Sequence, residues 1–377
     1  MRRLCFAIML ASSAVIATAA TRDAGYRLPL PDWVPQPPRT TMAGMSPARI
    51  ALGRALFYDT RLSTDGSMSC AACHQQTRAF TDGEPTHRGV LGDPGVRNVP
   101  SLANLAWLPT LNWANPNLKR LEAQVLIPIF GDRPVEMGMQ GRERELFAAL
   151  DRDAEMMALL RSAYPAKRGF DLEALTGSLA AFLKSITSFD SPYDRYKRLG
   201  DTTAISDAAK RGEALFFGER LECSHCHGGV NFTDNFQSAG NPFAETGFHN
   251  TGLYNEDGKG AYPKTNAGAR DVTGRPEDDG RFRSPSLRNV ALTAPYMHDG
   301  SIATLYDVIR RHYAIAGRSS AGPNGANPNR DPLITGFSIS DPEIADLIAF
   351  LDSLTDQNFV SNPVYGPPQR HLPAGAK

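Results

Sequence analysis

The sequence has 377 residues, which is long enough for two domains that each bury a core. Its 40 basic and 40 acidic side chains give a net charge of zero, which argues against a nucleic-acid-binding protein and gives no signal for a membrane surface. The 33 glycines and 28 prolines predict long irregular loops rather than disorder.

Residues 1–20 are typical of a secretory signal peptide. Two arginines precede a short apolar run from Leu4 to Ala17, and small residues suitable for cleavage follow it. The run is shorter than the ~20 residues that a spanning helix needs, and no later stretch is long and apolar enough to span. We therefore predict a cleaved signal and a mature protein that is not an integral membrane protein.

The next two segments are a proline-rich lead-in and a capped helix. Residues 22–39 contain five prolines and no helical or strand period, so we expect an extended arm on the surface. Residues 46–57 are predicted to form a helix, because Ser46 can cap it and Pro47 suits its first position.

The phrase Cys-x-x-Cys-His occurs twice, as Cys70-Ala71-Ala72-Cys73-His74 and as Cys223-Ser224-His225-Cys226-His227. This spacing is the attachment signature of a c-type haem, because two thiols on one turn can add to the vinyl groups of one porphyrin. The adjacent His74 or His227 then becomes the proximal ligand of the iron. We therefore predict two covalently bound haems c, and a periplasmic location, because such attachment takes place outside the cytoplasm.

Three segments between the motifs have apolar residues at helical period and are predicted to be helices: 118–126, 142–160 and 172–189. Residues 188–201 contain Pro192 and Gly200 and are interpreted as the link between two domains. Residues 235–282 and 317–329 are rich in glycine and asparagine. We expect both to be long loops, the first of them on the surface over the second haem.

A last helix is predicted from Asp341 to Leu354, packed against the haem-motif helix. The two motifs also share their surroundings, since residues 53–57 recur as 212–216 before them and Phe-Thr-Asp follows each, at 80–82 and 232–234. This internal repeat predicts a mainly α fold of two cytochrome c-like domains with long loops. We place them at residues 21–195 and 196–377.

Longer phrases resemble the bacterial di-haem cytochrome c peroxidase and MauG family. They follow one another over most of the mature chain: 56–59, 61–63, both haem motifs, 98–102, 134–138, 284–290 and 292–300. The resemblance implies a periplasmic enzyme whose N-terminal haem reacts with hydrogen peroxide. The C-terminal haem would then store or relay electrons.

The resemblance assigns roles to residues between the haems. Glu136 matches the family's catalytic glutamate, and a carboxylate near the iron can take a proton from one peroxide oxygen and deliver it to the other. Trp113 matches the tryptophan that carries an oxidising equivalent between the haems. Simple core packing stays open for Trp113, and Trp107 is the less favoured candidate. Gln124 and Pro128 match other distal-pocket positions.

The sixth ligand of the second haem is where this sequence departs from the peroxidases. They carry a methionine fourteen positions after the histidine that matches His298, and MauG-like members carry a tyrosine there. The same position here is His312, followed by Tyr313, in a predicted helical run over 305–313. We expect ligation by His227 and His312, while Tyr313 stays open if the helix register is shifted by one residue.

Other ligand positions are less sharply predicted. Met297 is a weaker candidate for the second iron, and His298 is expected to hydrogen-bond at the haem edge. At the first haem, Val90 stands where some peroxidases carry a distal histidine, which predicts an open iron on His74. His87 could still swing in or be a loop histidine. The remaining histidines have no predicted ligand role: His225, expected at the surface or the haem edge, His249 and His371.

The resemblance also implies a calcium ion between the domains, with the Asn98 side chain and the carbonyl groups of Thr293 and Pro295 as oxygen donors. Narrower phrases, at 221–229, 248–255 and 274–278, are similar to the MbnH-type enzymes of methanobactin gene cassettes. That similarity implies a partner protein, a copper-binding periplasmic one, whose tryptophan is oxidised to kynurenine.

Three functions follow from these patterns. The first is an oxidase that reacts with hydrogen peroxide and uses a high-valent di-haem state to oxidise a partner protein. The second is a peroxide-scavenging cytochrome c peroxidase that a small cytochrome or cupredoxin reduces. The third is a di-haem electron carrier, against which Glu136 counts, because an electron carrier has no use for an acid/base at an iron.

Overall fold

The structure is a computed structural model that describes residues 26–243 and 246–369. The predicted signal segment and His371 lie outside these ranges. Within them, no helix is both long enough and apolar enough to cross a membrane.

The described chain is mainly helical. In the N-terminal half the helices are α1 (Pro47–Phe57), α2 (Cys70–Cys73), α3 (Leu121–Gln124), α4 (Leu126–Phe130), α5 (Glu143–Asp151), α6 (Ala154–Ala163) and α7 (Leu172–Ser185). The C-terminal half contains α8 (Pro192–Leu199), α9 (Asp207–Phe216), α10 (Cys223–Cys226), α11 (Arg270–Thr273), α12 (Leu305–Arg311), α13 (Asp341–Asp352) and α14 (Gln357–Ser361). Two short strands, β1 (Phe248–His249) and β2 (Phe282–Arg283), pair antiparallel with Phe248 opposite Arg283.

The helix starts that the sequence predicts are confirmed at α1 and α13. The Ser46 hydroxyl accepts a hydrogen bond from the Arg49 amide, and Pro47 occupies the first turn. The Ser340 side chain and Glu343 form a capping box at the start of α13. Both helices therefore begin where the capping residues direct them.

The predicted helices in the middle of the chain are broken where caps intervene. The single helix expected over 142–160 is wrong, because α5 ends at Asp151 and the Asp153 carboxylate accepts bonds from the Glu155 and Met156 amides to start α6. The segment expected over 118–126 is likewise two short helices, α3 and α4, that meet at Val125.

The segment interpreted as an inter-domain link is a packed element. It contains α8, whose Asp194 carboxylate is buried and bound by both terminal nitrogens of Arg288, at 2.8 and 2.9 Å. Breaking such a buried pair leaves an uncompensated charge and is costly. Helix α8 is therefore tied to the C-terminal half, whereas Ser188 at the start of this segment is hydrogen-bonded to Asn104 of the N-terminal half, and the domain boundary at 195/196 stays a prediction.

Two segments expected on the surface are partly buried. In the described part of the lead-in, Leu28 and Val34 pack with Trp107 and Phe189. The loop over 235–282 contributes buried residues to a small cluster around Trp113: Leu253, Tyr262 and Phe282. The surface interpretation is wrong for these side chains, because burying apolar area stabilises them in the interior.

Close helix pairs in the two halves explain the repeated glycines. Helix α1 packs on α7, and α9 packs on α13. A Cβ atom on Gly53 would lie 1.8 Å from the Ser178 carbonyl oxygen, and one on Gly212 would lie 2.0 Å from that of Asp346. Helix α13 therefore packs chiefly against α9, which precedes the haem motif, while Cys223 of the motif helix packs against the same apolar cluster.

The repeat extends further than the sequence analysis recognised. Pro-Ser-Leu-x-Asn occurs at 100–104 and 285–289, and both asparagines are left-handed, with φ of 60° for Asn104 and 62° for Asn289. The Asn104 amide donates to the Ile186 carbonyl, and the Asn289 amide donates to the Leu354 carbonyl. In each half, this turn is thus hydrogen-bonded to a residue that directly follows a long helix, α7 in the first half and α13 in the second.

Candidate active site

Each haem motif forms one helical turn that ends on its histidine. The Nδ1 atom of His74 lies 2.8 Å from the Phe80 carbonyl oxygen, and that of His227 lies 3.2 Å from the Phe232 carbonyl oxygen. A carbonyl can only accept, so Nδ1 carries the proton in both rings. This tautomer leaves Nε2 free as a metal ligand.

The chemistry of these residues fits a covalently bound haem. Burial lowers the pKa of both His74 and His227, which keeps the imidazoles neutral. None of the four motif cysteines is in a disulfide, and burial raises the pKa of Cys70 and Cys223 to about 12. Two free cysteines and a neutral imidazole on one turn are the set that haem attachment needs.

A large, mostly apolar cavity lies against the second motif. It is bounded by Cys223, Cys226 and His227 and extends to Trp113 and Asn98 from the N-terminal half. Its apolar wall comes from several elements: Phe216, Leu221, Leu287, Val290, Tyr296, Leu305, Val308, Ile309, Phe337, Leu347 and Leu351. Such a wall suits a porphyrin, which is itself a large apolar plate.

Glu136 lies in a bend that three backbone hydrogen bonds hold in place. The Met137 amide donates to the Pro128 carbonyl at 2.9 Å, and the Met137 carbonyl accepts from the Thr64 amide at 2.9 Å. The Val90 amide donates to the Glu136 carbonyl at 2.7 Å. The acid is therefore fixed by its backbone, which a proton-transferring group needs.

The structure brings Glu136 to the first haem motif. Burial raises the pKa of the Cys70 and Cys73 thiols most, and the nearby Glu136 charge raises both further. Burial also raises the pKa of Glu136 itself, against the opposing positive charge of His87. Gln124, at the end of α3, has a buried Oε1 atom with no hydrogen-bond partner among the described residues.

The two candidate tryptophans have different surroundings. The Trp113 Nε1–H donates to the Asn98 carbonyl at 2.8 Å, and the Asn98 amide donates to the His298 carbonyl at 2.8 Å. Trp113 is buried and lines the cavity of the second motif. Trp107 instead donates to the Pro35 carbonyl and packs on the lead-in. These contacts favour Trp113 for a role between the haems.

The favoured sixth ligand, His312, does not line the cavity, although its Nε2 atom is buried with no hydrogen-bond partner among the described residues. Helix α12 ends at Arg311, and His312 leaves helical geometry with φ −126° and ψ −72°. Its Nδ1 atom accepts a hydrogen bond from the Arg318 amide at 2.9 Å. Tyr313 lines the cavity, and burial raises the pKa of its hydroxyl. The break in the helix makes Tyr313 the better-placed ligand.

Met297 and His298 also line the cavity. The His298 ring stacks on Phe282, with ring centroids 3.6 Å apart and planes at 11°. Burial lowers the pKa of His298 to about 4, so the ring is neutral. Its Nε2 atom is buried without a hydrogen-bond partner among the described residues. The expectation that His298 hydrogen-bonds at a haem edge is compatible with this free atom.

A second repeated feature was missed in the sequence. The His87 Nδ1–H donates to the Asp82 carboxylate at 2.9 Å, and His249 binds Asp234 at 2.6 Å and Asp331 at 2.7 Å. Asp82 and Asp234 are the acids of the two Phe-Thr-Asp phrases. Their repetition was the signal that each acid holds a histidine beside its motif. This bond occupies Nδ1 of His87 and leaves Nε2 as its other ring nitrogen, so ligation by His87 stays a prediction.

The remaining predicted residues have these positions. Asn98, Thr293 and Pro295 line one cavity, and the Asn98 Nδ2–H donates to the Glu84 carbonyl at 2.9 Å. The described residues contain no group of three or more His, Cys, Asp and Glu side chains that could hold a metal ion. The predicted calcium donors are carbonyl and amide oxygens, so calcium stays a prediction. His225 is exposed and paired with Glu222.

Comparison with known proteins identifies the family. The profile described as "Di-haem cytochrome c peroxidase" matches residues 47–203. The methylamine utilization protein MauG of Methylorubrum extorquens is 32% identical over 358 residues, which are 93% of this chain and 90% of that protein. The chain belongs to the di-haem cytochrome c peroxidase/MauG family. It is therefore a di-haem oxidoreductase, and the family and both motifs imply two c-type haems.

Other relatives span both branches of this family. The cytochrome c peroxidase Ccp of Escherichia coli is 31% identical over 85% of this chain and 59% of its own length. The crystal structure of a MauG-like protein associated with microbial copper homeostasis is 44% identical, with a TM-score of 0.86, and the match covers 91% of this chain and 99% of that one. The diheme peroxidase BthA from Burkholderia thailandensis is 25% identical with a TM-score of 0.63, over 87% and 91% of the chains.

Proposed function

We propose that this family member is a periplasmic MauG-type oxidase, similar to MbnH, that uses hydrogen peroxide to oxidise a tryptophan of a partner protein. The observation that carries the proposal is the position of Tyr313 on the cavity of the second motif. An anionic oxygen ligand favours the oxidised metal, whereas a methionine raises the potential and suits electron storage. Tyr313 thus supports a site that holds oxidising equivalents.

The first motif is the proposed peroxide site. When bound, the two haems supply iron centres that react with peroxide and hold the resulting oxidising equivalents. Glu136 takes a proton from the peroxide oxygen nearer the iron and returns it to the leaving oxygen. Its raised pKa, caused mainly by burial, brings this carboxyl closer to the pH at which it must both accept and donate. Gln124 offers its free Oε1 as a further polar group.

Trp113 is the proposed connection between the two motifs. Its indole is fixed by the bond from Nε1 to the Asn98 carbonyl, and it borders the second cavity. A fixed, buried aromatic ring lets charge pass between the two sites without rearrangement. The hydrogen bond also prevents the indole from turning, so its edge stays in one position.

The proposed substrate is inferred from the MauG-like protein to which this chain is similar. The MauG-like protein in the comparison is described as associated with copper homeostasis. By analogy, the partner of this chain is a copper-binding periplasmic protein whose tryptophan becomes kynurenine. A calcium ion held by Asn98, Thr293 and Pro295 is part of the same proposal.

The experiment is to incubate the di-haem protein with peroxide and the protein encoded by the neighbouring gene, and to follow its tryptophan peptides by mass spectrometry. We expect a peroxide-dependent conversion of one tryptophan. Omission of peroxide is the control. An unchanged partner, together with rapid peroxide turnover in the presence of a reduced small cytochrome, would overturn the proposal.

That second outcome defines the alternative, a peroxide-scavenging cytochrome c peroxidase. The similarity to the Escherichia coli cytochrome c peroxidase over most of this chain favours it. It predicts steady turnover with a reduced cytochrome or cupredoxin and no change in any partner tryptophan.

A further inference from the structure

Two arginines are buried in the C-terminal half, and only one has a visible counter-charge. Arg288 and Arg283 are 2% and 4% exposed. Arg288 makes the two-pronged pair with Asp194, whereas Arg283 has no carboxylate within ion-pair distance among the described residues. A buried cation without an anion is strongly unfavourable, so Arg283 calls for a negative group that binds there.

Arg283 borders the cavity that also contains His227. Two of its nitrogens are held by carbonyl oxygens, with Nε donating to Asn112 at 3.2 Å and Nη1 donating to Ser284 at 3.3 Å. These bonds orient the guanidinium but do not neutralise it. Burial lowers the pKa of Arg283 to about 10, which still leaves it charged at neutral pH.

A second polar group on the same cavity lacks a partner. The Nε2 atom of His298 is buried and forms no hydrogen bond with the described residues, and its ring is fixed by stacking on Phe282, the residue before Arg283. A buried polar atom left without a hydrogen-bond partner costs about 1–3 kcal/mol, and in the tautomer that carries the proton on Nε2 this atom would donate to an acceptor in the cavity. A cation and an unsatisfied imidazole on one cavity point to a single carboxylate that would satisfy both.

We propose that Arg283 and His298 bind a propionate of the second haem, and so position that haem against Trp113. This inference rests on the two-haem function proposed above. The haem is the anionic molecule that this cavity is built to hold, and its two carboxylates are its only negative side groups. Arginine is well suited to a carboxylate because its planar fork can donate two parallel hydrogen bonds.

A set of main-chain hydrogen bonds links Arg283 and His298 to Trp113. The Arg283 amide donates to the Trp113 carbonyl at 2.8 Å, and the His298 carbonyl accepts from Asn98, whose own carbonyl accepts from the indole of Trp113. A propionate held by Arg283 and His298 would therefore set the distance between the second haem and the indole of Trp113. Arg283 and His298 are positioning residues in this account.

Asp234 is the competing partner for Arg283. Burial lowers the pKa of Arg283 most, and the Asp234 charge raises it in opposition; the Asp234 Oδ1 atom is buried with no hydrogen bond to the described residues. Its Oδ2 atom is already bound to His249 at 2.6 Å. If Asp234 were the counter-charge of Arg283, a substitution at residue 283 would leave the propionate bending mode of the second haem unchanged.

The test compares the intact di-haem protein with Arg283→Gln, Arg283→Lys and His298→Gln. Arg220→Gln is the matched control, because Arg220 borders the same cavity but is exposed and paired with Glu343. The readouts are the midpoint potential of the second haem by spectroelectrochemistry and its propionate bending mode by resonance Raman spectroscopy.

Arg283→Gln should lower the midpoint potential of the second haem, because a lost positive charge favours the ferric state, and should shift the propionate mode. Arg283→Lys should give a smaller potential shift, and His298→Gln should shift the mode while the charge is kept. Arg220→Gln and the first haem should be unchanged. Unchanged potential and modes in the residue-283 variants overturn the inference.

If Arg283→Gln does not accumulate, Arg283→Lys and His298→Gln decide, and unchanged propionate modes in both overturn the inference. The haem content of the wild type separates this failure from failure of the function itself. One haem per chain would contradict the two-haem function, whereas two haems with insensitive propionate modes would contradict only the roles of Arg283 and His298.

Discussion

The rings of His312 and Tyr313 lie edge to face, with centroids 4.6 Å apart and planes at 78°, and of the two only the tyrosine borders the cavity of the second haem motif. The end of α12 at Arg311 produces this arrangement. Adjacent residues in a continuing helix would point about 100° apart, but here the chain changes direction between them. One helix terminus therefore decides which of the two side chains borders the cavity.

The first prediction concerns this pair. Tyr313→Phe should abolish the low-spin EPR signal of the ferric second haem, because the oxygen ligand is lost. His312→Gln should keep that signal, since its Nδ1 only accepts from the Arg318 amide. The measurement is EPR of the resting protein with haem content determined in parallel. Loss of the signal in His312→Gln alone would restore the assignment to His312.

The second prediction concerns the acid/base. Glu136→Gln should slow the reaction with peroxide by about 10²–10⁴-fold, because the amide cannot accept and return the proton. Stopped-flow absorption of the first haem measures this rate. Glu155→Gln, an exposed carboxylate on α6, is the control and should leave the rate unchanged. Equal rates in wild type and Glu136→Gln would remove Glu136 from the mechanism.

The pH dependence of the reaction with peroxide is a second test of Glu136. Burial raises the pKa of Glu136, so the base form is lost on acidification at a higher pH than for an ordinary glutamate, whose pKa is about 4.3. The rate should be constant well above the pKa of Glu136 and fall as pH drops through it. Glu136→Gln should lack this acid limb. A limb that persists in the variant would belong to another group.

The third prediction concerns the connection between the motifs. Addition of peroxide to wild type should remove the ferric EPR signals of both haems, because the oxidising equivalents are shared. Trp113→Phe should lose only the signal of the first haem within the same time, as measured by rapid-freeze EPR. Trp107→Phe is the control and should behave as wild type, since Trp107 packs on the lead-in. Loss of both signals in Trp113→Phe would exclude the indole as the connection.

The fourth prediction concerns the repeated helix pairs. Gly53→Ala should lower the free energy of unfolding by about 1–3 kcal/mol, because its Cβ would overlap the Ser178 carbonyl and force α1 and α7 apart. Chemical denaturation of the di-haem protein measures this. Gly240→Ala is the control, since a Cβ there meets no atom within 4 Å. Unchanged stability of Gly53→Ala would show that the helices can separate at little cost.

The chemistry of the motifs was readable in the sequence, because it depends on residues that are neighbours in the chain. Cys-x-x-Cys-His needs only one helical turn, and the caps Ser46 and Ser340 act within three residues. These features follow from local geometry, which the spacing of residues determines. The repeat around the motifs predicted two similar helical units for the same reason.

The tertiary structure decided what depends on residues far apart in the chain. It brought Glu136 close enough to the first haem motif for its charge to act on Cys70, and it fixed His249 between Asp234 and Asp331. It also left Arg283 on the cavity of His227 with no carboxylate within ion-pair distance among the described residues. Pairings over such separations are set by packing and by the need to satisfy buried charges. The repeated Phe-Thr-Asp phrases marked Asp82 and Asp234, but not the histidines that they bind. The sequence by itself determined where haems attach, and the fold decided which side chains face them.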